Sequence, residues 1–296
     1  MKKILFASTA LVATAGVASA DIAFSGGANM GLKYNDGAAE ELILHREITL
    51  TVAMTGETDG GLTFGADMTI TAGGVGDVVV YIEGGFGKLA AGDVGSAVDA
   101  HIGVGDLGFD GIGTDNIAEA QIDANDKGSL MYTGTFGDFT VAASWNGSTN
   151  HAVAHGTSGT GAAAVPATFT AADPVVQENE FSIAAKYAMG NYTVAVGYDE
   201  GNGTDVFSVG LGASIDAFSI NGVLSTSTAG ESYGLTAGYT MGATTITAAY
   251  SKDDVANAEG YGIGFGYDLG GGATLAGAVG EVNNVTVADL GITMSF

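Results

Sequence analysis

From residue 21 onward, apolar side chains recur at every second position in runs of about ten residues, the period of a strand with one greasy face. In the first run Ile22, Phe24, Ala28, Met30, Leu32 and Tyr34 share a face, and Ser25, Asn29 and Lys33 lie on the other. Leu42, Leu44, Ile48, Leu50, Val52 and Met54 then alternate with Glu41, His45, Glu47, Thr49 and Thr51. Leu62, Phe64, Met68 and Ile70 alternate with Thr63, Asp67 and Thr69, and later runs are as regular: Phe181 to Met189, Tyr192 to Tyr198, Tyr261 to Leu269. Helical spacing is nowhere sustained. The pattern predicts sixteen strands, roughly 21–34, 41–55, 61–71, 77–84, 88–95, 128–135, 139–147, 180–189, 191–199, 205–215, 217–226, 231–241, 243–252, 259–269, 273–281 and 284–296.

Tight glycine-bearing connections, such as Phe136-Gly137-Asp138 and Met189-Gly190-Asn191, alternate with longer acidic ones, which puts short turns at one end and long loops at the other. An even strand count with this alternation, and with Tyr or Phe near strand ends, predicts an all-β fold, a sixteen-stranded antiparallel transmembrane β-barrel. The physical reason is that hydrocarbon offers backbone N–H and C=O groups no partner, and a closed barrel pairs them all. A soluble β-sandwich also alternates, but sixteen strands would divide into two domains, and no linker interrupts the run. Beyond residue 20, no stretch approaches the ~20 apolar residues of a spanning helix. Leu290, Ile292, Met294 and Phe296 share a face of the last strand, and a closing aromatic of this kind resembles the signal read by the bacterial barrel-assembly machinery.

Composition sharpens this picture. Fifty glycines and two prolines among 296 residues are poor helix material, and the absence of cysteine leaves closure to backbone pairing and packing. Lys2 and Lys3 precede an apolar run from Ile4 to Val17 and a small-residue Ala18-Ser19-Ala20 site, so residues 1–20 are expected to be a signal peptide and 21–296 a single barrel domain. Two of the eight Lys and Arg lie in that leader, which leaves six against 33 acids, a net charge near −27. Such a field repels nucleic acid and attracts cations.

Several segments resemble the alphaproteobacterial general porins of the Rhodobacter type. They are Phe24-Ser25-Gly26-Gly27-Ala28-Asn29-Met30-Gly31, the turn from Met54 to Ala66, Phe86-Gly87-Lys88-Leu89 through Gly92-Asp93, Gly190-Asn191-Tyr192-Thr193-Val194, and Ala288-Asp289-Leu290-Gly291. The resemblance implies a homotrimer in the outer membrane, with the third long loop of each barrel folded inward to narrow a water-filled channel for small hydrophilic solutes.

The segment 98–127 occupies that loop's place and carries Asp99, Asp106, Asp110, Asp115, Glu119, Asp123 and Asp126, the candidates for a cation-selecting constriction. Porins of this family set basic residues on the opposite wall, but here the second strand has Glu47 and Thr49 near those positions, and Arg46 falls on the apolar phase, which places it near the outer rim. The candidate wall residues are Lys33, His45, Glu47, Asp67, Lys88 and Lys186. Clustered loop carboxylates suit Ca²⁺, with ligands unassigned, and such ions bridge a rim to lipopolysaccharide phosphates. No cofactor is required.

Other motifs carry little. Gly103-Val104-Gly105-Asp106-Leu107-Gly108 spells GxGxxG, but in an acidic loop rather than between strand and helix. His151 and His155 lie four apart in a second long loop, 148–179, with no carboxylate between them. Two alternatives to a channel are a barrel enzyme and a structural or adhesive barrel with a closed lumen. The first needs a nucleophile paired with one of four histidines, and no serine is convincingly placed; the second suits smaller barrels.

Overall fold

The computed structural model describes residues 20–122, 129–146, 180–201 and 204–296. The leader up to residue 19, Asp123, Asp126 and the loop histidines His151 and His155 lie outside them. In chain order the elements are β1 (Asp21–Asn35), β2 (Leu42–Glu57), β3 (Thr63–Thr71), β4 (Gly74–Gly84), β5 (Gly87–Gly92), α1 (Thr114–Ala118), β6 (Ser129–Phe136), β7 (Phe139–Asn146), β8 (Glu180–Met189), β9 (Tyr192–Gly201), β10 (Thr204–Ile215), β11 (Phe218–Ser227), β12 (Glu231–Met241), β13 (Thr244–Asp253), β14 (Ala258–Gly270), β15 (Ala273–Val282) and β16 (Val285–Ser295). Every strand pairs antiparallel with its neighbours in sequence, and β1 pairs with β16, so the sheet closes into a barrel. At the seam Phe296 N donates to Gly26 O at 2.9 Å, and Gly26 N to Phe296 O at 3.2 Å.

The two-residue period becomes two faces. Phe24, Leu44, Ile48, Phe218 and Met241 are each more than 60 % exposed, which a soluble protein would bury and a lipid-facing wall presents to hydrocarbon. On β1 the alternate residues Asn29 and Lys33 hydrogen-bond to Asp110 of the segment 93–122, which therefore lies inside the barrel. Arg46 sits opposite Met30 on the outward phase, near the loop end of β2.

Two expectations need correction. The end opposite the tight turns is not uniformly long-looped: 72–73, 254–257 and 283–284 are short connections there, and length is confined to the segments after β1, β5 and β7. Nor do the small inward residues all face water. Ala142, Ala184, Ala195 and Val223 are buried beneath Ala97, Val98, Ile102, Ala118 and Ile122 of the inward segment, and Ala249 and Ala278 beneath Leu107 and Ile112. The barrel's apolar core is thus the seat of the inward loop that follows β5.

Candidate pore constriction

The path of 93–122 is fixed by side chains of the wall. Ala97 N donates to Ser144 Oγ on β7 at 2.9 Å, and Val98 N to Ser182 Oγ on β8 at 3.0 Å, both buried. Farther along, Asp289 on β16 accepts the N–H groups of Phe109 and Asp110 on Oδ2 at 3.0 and 3.1 Å, while its Oδ1 takes the N–H of Ala278 at 2.8 Å. Gln121 donates to Asp253 Oδ1 on β13 at 3.3 Å and accepts from Ser227 Oγ on β11 at 3.0 Å. Buried N–H groups without a partner are costly, so these anchors decide where the segment lies. The sequence reading missed all five wall residues. For Asp289 a signal existed, a carboxylate on the inward phase of the last strand.

Close approach also needs small wall residues. A Cβ on Gly31 or Gly291 would stand 2.7 Å from the Phe109 ring, and one on Gly234 would collide with Ala118. These glycines are where loop and strand touch.

Of the loop acids, Asp106 turns inward on its own segment. It accepts from Leu107 N, Gly113 N, Thr114 N and Thr114 Oγ1 at 2.7 to 3.1 Å, which closes the curve leading into α1. Glu119 accepts from Val104 N at 2.6 Å. Burial pushes its carboxyl up to about 7; the Val104 bond opposes this, and the charges of Asp115, Asp99 and Asp106 add to it. Burial, and then the neighbouring Asp106, also push Asp115 above the usual carboxylate range. The charges of Asp99, Asp106 and Asp115 thus converge on Glu119.

Asp110 instead reaches the wall. Its Oδ2 lies 2.6 Å from Lys33 Nζ, and its Oδ1 lies 3.3 Å from Asn29 Nδ2 and 3.2 Å from His45 Nε2. The His45 ring meets Phe109 edge-on with centroids 5.8 Å apart. Glu47 follows His45 on the same inward face of β2 and is exposed. Lys33, His45, Glu47 and Asp110 are thus brought together.

The other wall candidates lie apart from that group. Lys88 sits 3.9 Å above the Tyr81 ring, and Asp67 and Glu83 act electrostatically on the same tyrosine. Lys186 on β8 faces His101 of the loop, whose imidazole is pushed down first by burial and then by that positive charge. Positive charge on the wall is sparse, and Lys33 spends its own on Asp110.

A family model described as Gram-negative porin matches residues 7–286. A porin of Rhodobacter capsulatus is 29 % identical, over 93 % of this chain and all of its own length. A substitution variant of the Rhodopseudomonas blastica porin superposes with a TM-score of 0.73 at 23 % identity, covering 93 % of this chain and 100 % of the other. A triple variant of the same porin gives 0.67 at 22 % with the same coverage. These relatives are channels, not enzymes. Closed sixteen-stranded barrel, inward loop and family match agree, and this chain belongs to the Gram-negative porins, general-diffusion channels of the outer membrane.

Proposed function

We propose that this porin prefers cations, and that the preference is set where the segment 93–122 narrows the barrel. The observation that carries the reading is the charge imbalance at that level. Asp99, Asp115 and Glu119 crowd together on the loop, Glu47 adds a wall carboxylate, and Lys33 is already paired with Asp110 at 2.6 Å. Fixed carboxylates in a narrow aqueous passage between low-dielectric walls concentrate cations and exclude anions. Reversal potentials across a salt gradient in planar bilayers test this; a potential of the sign expected for anion preference would refute it. Liposome swelling with graded sugars then sets the size limit.

The wider reading follows from the sequence. Residues 1–20 are removed on export, and the strand ending in Phe296 addresses the chain to the barrel-assembly machinery. Three copies associate in a membrane whose lipopolysaccharide adjoins the rim. The pairing of Phe296 with Gly26 supports the second point, since it seats Phe296 at the β1–β16 seam. Its test is assembly into the outer membrane after Phe296→Ala. Crosslinking in native membranes counts the copies.

A further inference from the structure

We propose that His45, Glu47 and Asp110 form a binding site for a borderline divalent metal ion such as Zn²⁺, joining the inward loop to the wall and obstructing the passage when filled. The inference rests on the channel reading above. His45 and Glu47 stand two apart on β2, so both point into the lumen, and Asp110 comes from the loop across from them. One ligand atom from each lies within 4.8 Å of the others.

Two observations favour an ion over a plain ion pair. His45 Nε2 is buried and makes no hydrogen bond, although Asp110 Oδ1 is only 3.2 Å away. Two donor atoms that face each other at this distance without bonding are spaced as two corners of a tetrahedral site, whose edge is about 3.3 Å for bonds of about 2.0–2.1 Å. Asp110 is also held from outside, by Asp289 at its backbone N–H and by Lys33 and Asn29 at its carboxylate. Support of this kind fixes metal ligands in place. Glu47 is exposed, so its side chain is free to swing onto an ion.

The donor set selects the ion. One imidazole nitrogen with two carboxylates suits Zn²⁺ and its neighbours, whereas Ca²⁺ and Mg²⁺ prefer all-oxygen shells. Three protein ligands leave a fourth corner to water. Lys33, against Asp110 Oδ2, repels the ion and lowers its affinity without occupying Oδ1, which points to reversible rather than permanent occupancy.

The test uses purified full-length porin in planar bilayers, first in EDTA and then with Zn²⁺ raised from micromolar to millimolar. Zn²⁺ is expected to lower or interrupt the single-channel steps while equal Ca²⁺ does not. His45→Gln, and more weakly Glu47→Gln, should raise the half-blocking concentration by ~10–100-fold or more. The double variant His151→Gln/His155→Gln should keep the block. Zinc bound at equilibrium, with the folded protein dialysed against Zn²⁺ near the half-blocking concentration, should be markedly lower in His45→Gln than in the parent, and open steps in EDTA confirm that this variant is assembled. Steps in EDTA that ignore Zn²⁺ would overturn the site alone, as would a block that survives His45→Gln. An absence of steps in EDTA would instead strike the channel reading.

Discussion

Asp289 holds Phe109 from the far end of the chain, its Oδ2 accepting the Phe109 N–H at 3.0 Å across 180 residues of sequence. The same carboxylate takes the N–H groups of Asp110 and Ala278, so one side chain ties loop, β15 and β16 together. Asp289→Ala leaves three N–H groups to water, at a cost of up to about 1–3 kcal/mol for each left unpaired and less wherever lumen water replaces the carboxylate. The strand ladder does not depend on it. Thermal unfolding of the barrel should therefore change little, while single-channel conductance becomes larger and noisier as the loop loses its hold. Conductance equal to that of the parent in amplitude and noise would rule out the anchor.

Gly197→Val should act the opposite way. A Cβ there would stand 2.5 Å from Val98 Cγ2 and 3.1 Å from Ile102 Cδ1, so its nearest neighbours are loop side chains. The larger residue pushes the loop off β9 and into the passage. Mean conductance should fall, with SDS-resistant barrel structure preserved. Loss of that structure would show that the contact supports the wall itself.

The strands were legible because every wall residue answers a binary question, lipid or lumen, that a two-residue period records directly. All sixteen were placed, with the largest departures at β4, which starts at Gly74, and β5, which ends at Gly92. The loop obeys no period. Its position follows from single contacts between distant residues, such as Val98 with Ser182 and Phe109 with Asp289, and nothing local to either partner announces them. The small inward residues misled for a related reason. Ala184 and Ala195 are as fit for a wet wall as for the floor under Val98 and Ile102, and only the loop's path decides between them. The acids were read by charge, whereas Asp106 serves the loop's own backbone.

Lys33 and Asp110, 2.6 Å apart, set the charge where loop meets wall. Their side chains are 30 % and 17 % exposed, so screening holds the coupling to about 1 kcal/mol. Lys33→Met should shift the reversal potential toward stronger cation preference and Asp110→Asn toward weaker. The double variant should lie near the parent, because each change removes the charge that the other had balanced. A double variant displaced from the parent as far as either single variant would show that the two charges do not offset one another.

Glu119 makes selectivity depend on pH. Its carboxyl is raised to about 7 in the docked loop from an ordinary value of 4.5. A raised carboxyl favours the docked loop below the ordinary value and loses that contribution as pH rises through the raised one. Docking should thus be tightest near pH 4 and loosen toward pH 8. The charge on Glu119 appears over the same window, so cation preference should grow between pH 6 and pH 8. His101 adds little there, since burial and Lys186 keep its imidazole below the usual range and largely neutral. The charges of Asp115, Asp99 and Asp106 help to raise Glu119, and Asp115 is itself raised by burial and by Asp106. Reversal potentials measured across this range should rise for the parent and stay nearly flat for Glu119→Gln. An equally steep profile in that variant would assign the titration to another group.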